Sequence, residues 1–219
     1  MSRISSTPEL FAIYKRYLAD WMSAEEIIKR AELISQEVNY PAVQELRYAA
    51  RRIVDAEYAA DNGKKDEDIR WHLSEACENC RKAKHDAIDA SILFVHVELD
   101  ELVSKTGLDV VAQAFPQYSD LIIEMEEVGD RIVASRKRRE ILDTEYDAIA
   151  EKHLHNVVDL YRKLKLAKPV VVAIEKRRTR DFWRAVILVG LVVSVVGGGT
   201  VVFLDKMGAF EFIVDLFKR

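Results

Sequence analysis

The densest run of groups able to do chemistry is ENCRKAKHDAID, Glu78 to Asp89. Arg81, His85 and Asp89 recur every fourth residue, and His96 and Asp100 continue the series, so on a helix all five lie near one side. An imidazole beside a carboxylate is a workable general acid/base pair, which makes Arg81, His85 and Asp89 the catalytic candidates. The same spacing also produces the ordinary ion pairs of a solvated or inter-subunit helix face, and that is the reading preferred from the sequence.

These residues invite comparison with the helical ribonuclease superfamily called HEPN, whose motif is an arginine, four to six residues, then a histidine. Here only Lys82, Ala83 and Lys84 separate Arg81 from His85. The motif is not met, and a degenerate HEPN-like, membrane-bound nuclease stands third among the functional readings. Cys77-Glu-Asn-Cys80 forms a CxxC, with His153 and His155 as conceivable nitrogen partners for zinc. Both cysteines fall on the apolar stripe of a long helix rather than on a turn, so core packing is expected and no metal or cofactor is assigned. Arg136-Lys-Arg-Arg139 points around most of a helix circumference, so a solvated stretch is expected there and direct nucleic-acid binding is not. Walker, Rossmann, HExxH and GxSxG patterns are all absent from the sequence, so an ordinary enzyme is not expected.

The elements that carry these residues read as helices throughout. Thr7-Pro8-Glu9 opens a helix to about Trp21, and the capping box Ser23-Ala-Glu-Glu26 opens the next, to about Val38. Pro41 starts a third that stops at Asn62-Gly63; a fourth runs from Asp66 or Asp68 to Lys105, ahead of Gly107. After a short segment, Leu108–Phe115, a fifth helix is predicted from Ser119 to Lys168, where Pro169 interrupts it. Its residues Leu121, Met125, Val128, Ile132, Ser135, Arg139, Leu142, Tyr146, Ile149, His153, Asn156, Leu160 and Leu164 alternate in steps of mostly four and three, a coiled-coil seam. The fourth and fifth helices are therefore expected to pair as a long antiparallel hairpin.

From Ala185 to Leu204 the chain has no ionisable group. Twenty helical residues at about 1.5 Å each reach roughly 30 Å, so this run is expected to be a transmembrane helix. The basic flank before it, with Lys176, Arg177, Arg178, Arg180 and Arg184 beside Trp183, is expected to meet lipid headgroups. That bias places the N-terminal region in the cytoplasm of a single-pass protein, in a bacterial inner membrane. Gly190, Ser194 and Gly198 form a small-residue face suited to close packing between copies, and Gly197, Gly198 and Gly199 are a candidate hinge. Beyond the run, Phe210, Ile213, Val214 and Phe217 share the apolar face of an amphipathic tail.

The expected architecture is thus all-α. It comprises an elongated cytoplasmic bundle over residues 1–168, a basic neck over 169–184, a membrane helix over 185–204 and a tail over 205–219. A composition 49% apolar and 32% charged excludes general disorder, and a net charge of −4 gives no argument for nucleic acid. In general layout the chain resembles the membrane-anchored helical effectors of bacterial anti-phage systems, which sense infection through a cytoplasmic part and permeabilise the membrane. That resemblance implies an oligomeric, pore-forming effector that contacts lipid and receives its signal from a protein or nucleoprotein partner. A membrane-tethered scaffold or adaptor is the second reading.

Overall fold

The computed structural model describes the backbone of residues 3–206 and the side chains of residues 3–194 apart from Arg139. Among these residues every element is helical. The first are a short α1 (Arg3–Ser6), α2 (Pro8–Ser35), α3 (Tyr40–Asp61), α4 (Asp66–Thr106) and α5 (Leu108–Ala114). They are followed by α6 (Tyr118–Lys137), a 3-10 turn (Arg139–Ile141), α7 (Leu142–Ala148), a π turn (Ile149–His153) and α8 (Leu154–Lys206). The chain divides into two compact units, Met1–Lys168 and Pro169–Arg219.

In the first unit, α4 is the central element and packs along both α2 and α3. Its apolar face, including Ile69, Leu73, Cys77, Cys80, Ala87, Val95 and Leu99, is buried. Alanines at 42, 49, 56, 59 and 60 line the buried face of α3 and allow close backbone approach. Leu10, Ala56, Ile69 and Leu73 belong to one cluster with Ile4, closing one end of the three-helix packing. The start of α3 is fixed by Asn39, whose side-chain oxygen accepts from the Ala42 N–H at 3.3 Å. The end of α4 falls at Gly107, where φ is 87°, a conformation that glycine adopts without the steric cost of a Cβ.

Two helix expectations are corrected here. The capping box at Ser23 starts nothing, because α2 runs unbroken from Pro8 to Ser35. Ala24, Ile27, Ile28, Ala31 and Ile34 continue its buried face, and Glu25 and Glu26 pair with Lys29 and Arg30 one turn on. The predicted fifth helix, by contrast, is broken. At Arg138 the backbone turns extended (φ −130°, ψ 86°), ending α6. Thereafter the chain reverses, since Arg131 meets Glu145 at 3.1 Å and Glu124 meets His153 at 2.8 Å. The hairpin therefore forms inside the predicted fifth helix, between α6 and the α7–α8 arm. Relative to α4, the α7–α8 arm runs parallel: Asp143 lies beside Arg81, Tyr161 beside Phe94 and Lys168 beside Glu98.

The heptad also loses phase at the π turn. One extra residue in a turn rotates everything downstream, so Leu154, Val157, Val158, Tyr161 and Leu164 are buried. Asn156, assigned to the seam by the sequence, is exposed.

In the second unit α8 is helical through Lys206, with Pro169 inside it rather than ending it. Proline removes the helical hydrogen bond to the Lys165 carbonyl but does not end the helix. Among the described residues, no helix is long and apolar enough to cross a membrane. Of the predicted span, side chains are described only from Ala185 to Ser194, about 15 Å of helix where a span needs about 20 residues. The single-pass inner-membrane placement is corrected accordingly. Of the predicted tail, residues 207–219, with its amphipathic face, lie outside the described residues.

Candidate functional site

Where α4 meets α7, charge and aromatic groups interlock. Arg81 and His85, one turn apart on α4, converge on Asp143 near the start of α7, at 3.2 Å from Arg81 Nε and 3.5 Å from His85 Nε2. Arg81 is also bonded to Glu78 on its own helix. The His85 ring stacks on Tyr146, with centroids 3.9 Å apart and planes at 29°. One turn further along α4, both Asp89 oxygens are engaged: one accepts from the Tyr146 hydroxyl at 2.8 Å, the other from the Arg136 guanidinium of α6. Lys84 pairs with Asp147.

Burial sets the protonation of this network. It lowers the His85 pKa, against the opposing pull of Asp143, so the imidazole is neutral at pH 7. Burial likewise raises the Tyr146 pKa, and the neighbouring Asp89 raises it further, so the phenol stays protonated and donates. On α2, the Asp20 carboxyl is pushed up by burial despite Arg16, Arg81 and Lys84 nearby.

The three catalytic candidates thus share a face, but they do not assemble into one acid/base pair. His85 faces Asp143, whereas Asp89 is occupied by Tyr146 and Arg136. Asp143 and Tyr146 are the partners that the periodicity of α4 had no means of revealing, because they lie on a separate helix more than fifty residues away. Chemically, the arrangement locks α7 and the end of α6 onto α4. His96, further along the stripe, is exposed and meets only Asp100, at 3.3 Å.

Beside this lock, α4 and α6 border a groove of about 520 Å³ with Ile92, Leu93, Ile122, Met125 and Ile132 in its lining. Gly129 of α6 lies in it, and a Cβ there would meet no atom within 4 Å. At the other end of the hairpin, His153 of the π turn is buried between Glu124 (Nδ1 to Oε1, 2.8 Å) and Glu127 (Nε2 to Oε1, 3.8 Å). Asn156 Nδ2 donates to Glu124 Oε1 at 3.2 Å, and Arg131 pairs with Glu127 at 3.3 Å. The heptad reading had made His153 a seam position without identifying either glutamate.

Cys77 and Cys80 are free and buried. Burial, with Asp20 adding to it, pushes the Cys80 thiol up to about 12, and burial raises Cys77 as well. Neither is poised as a thiolate ligand. His155 stands apart on the surface, 3.3 Å from Asp159.

On α8, Ser194 Oγ donates to the Gly190 carbonyl at 2.8 Å, and a Cβ at Gly190 would meet nothing within 4 Å. Gly197, Gly198 and Gly199 are helical in backbone, and their surroundings lie outside the described side chains. Lys176, Arg177, Arg178, Arg180, Trp183 and Arg184 are exposed, and Arg184 lies 3.7 Å from Asp181. Their lipid role was inferred from an adjoining span and loses that premise. Protein-family models, curated proteins and solved structures yielded no match to this chain.

Proposed function

We propose that this chain is a self-associating helical scaffold, in which the bundle of residues 1–168 presents interaction surfaces and the apolar stretch of α8 joins copies. The observation that carries this reading is the exposure of consecutive large aliphatic side chains on α8. Ile187, Leu188, Val189, Leu191, Val192 and Val193 are each more than half exposed. Burying one such side chain stabilises by roughly 1.5–3 kcal/mol, so a helix that is apolar on all sides needs a cover.

A second copy suits that cover because Gly190 and Ser194 stand one turn apart with open space over Gly190, which lets two helix backbones approach closely. The charge lock at Asp143 and Asp89 favours a rigid platform over a catalytic centre, since its acidic oxygens already have cationic or hydroxyl partners. The membrane-disrupting effector depended on a span and is not carried forward.

Sedimentation velocity on the full chain tests the scaffold. A discrete oligomer of fixed stoichiometry is expected, and Leu188→Glu with Leu191→Glu should reduce it to monomer. A monomeric or polydisperse wild-type chain would overturn the reading.

A further inference from the structure

We propose that Glu124, Glu127 and His153 form a binding site for a divalent transition-metal cation of the zinc type. One ligand atom from each of the three residues lies within 4.8 Å of the other two. Two ligands held about 2.0–2.1 Å from a tetrahedral zinc ion lie roughly 3.4 Å apart. The 3.8 Å between His153 Nε2 and Glu127 Oε1 is close to that separation and too long for a hydrogen bond.

The local backbone serves this arrangement. Glu124 and Glu127 are three residues apart on α6 and so project from one face. His153 ends the π turn, where the extra residue changes the direction of the ring, and such turns recur at functional sites. The imidazole is 8% exposed, and its Nε2 makes no hydrogen bond. Asn156, donating to Glu124, holds one carboxylate in orientation from outside the ligand set.

Arg131 is the cation's competitor, because it pairs with Glu127. It is also bonded to Glu145 at 3.1 Å, which gives the guanidinium a partner when Glu127 turns to a metal. The donor set decides the class of ion. One imidazole and two carboxylates suit zinc or manganese, whereas calcium and magnesium favour all-oxygen sites. Three protein ligands leave a position for water, so the bound ion would join α6 to the start of α8 while remaining reachable.

The test is isothermal titration of zinc chloride into the full chain after chelator treatment, with cobalt absorption as a second probe of the site. Binding near one ion per chain is expected, with the visible d–d bands of cobalt in a low-symmetry site. Glu127→Gln, at the partly exposed edge, should weaken affinity at least tenfold, and His153→Gln should abolish the cobalt bands. His155→Ala should change nothing. Circular dichroism confirms folding, and if His153→Gln is unfolded the Glu127→Gln titration decides. Absence of zinc binding at micromolar concentration, or equal affinity in wild type and Glu127→Gln, would overturn the site.

Discussion

At the scale of single residues, the structure turns a stripe of polar groups on α4 into a lock whose strength depends on protonation. His85 faces Asp143, Lys84, Asp89 and Glu78, and burial lowers its pKa below that of the unfolded chain. The unfolded state therefore takes up the proton first as pH falls. The contribution of His85 is fully present above about pH 6.5, the ordinary histidine value, and is lost as pH drops through the folded value. Urea unfolding at pH 7.5 and pH 5 should show a loss of stability that is smaller in His85→Gln. An equal loss in both proteins would show that His85 does not govern it. The shared face of Arg81, His85 and Asp89 was legible because helical spacing alone determines it. Their partners were not, since Asp143 and Tyr146 become neighbours only through the chain reversal at Arg138.

For the elements, legibility follows the strength of local punctuation. Pro41 with Asn39, and Gly107 at positive φ, mark real ends of α3 and α4, because each changes what the backbone can do. Ser23 offered a cap that the chain does not use, since the apolar face of α2 continues across it. The break at Arg138 was illegible for the opposite reason: arginine and lysine are good helix formers, and nothing in SRKRRE forbids helix. Only the gain from folding α6 back against α7 and α8 ends the helix there. Tertiary packing overrides propensity in the same way at Pro169, which α8 absorbs.

Gly129 belongs to this scale too. It is helical, with open space where a Cβ would sit. Gly129→Ala should therefore raise stability by about 0.5–1 kcal/mol, read as a higher urea midpoint at unchanged slope. A destabilised variant would mean that the groove between α4 and α6 is narrower than described.

On the scale of the whole molecule, the all-helical class was plain from the apolar spacing, while the path of the chain was not. Every long helix was foreseen as a helix, yet the parallel course of α7–α8 against α4 depends on one extended residue. The phase of α8 depends on one extra residue in a π turn. Neither leaves a mark in hydrophobic periodicity, which records the face of a helix and not its direction.

The turn at Arg138–Ile141 also bears on the order in which the bundle assembles. Arg131 and Glu145 are 14 residues apart in the chain, whereas Lys84 and Asp147 are 63 apart. About two doublings of loop length separate these contacts, an entropic difference of roughly 1 kcal/mol. The short hairpin should therefore close first and dock on α4 afterwards. Stopped-flow refolding should find Arg131→Ala slowing folding, and Asp147→Ala chiefly speeding unfolding. The reverse pattern would place docking before closure. What ends a helix in the folded protein would then be what starts the folding of its second half.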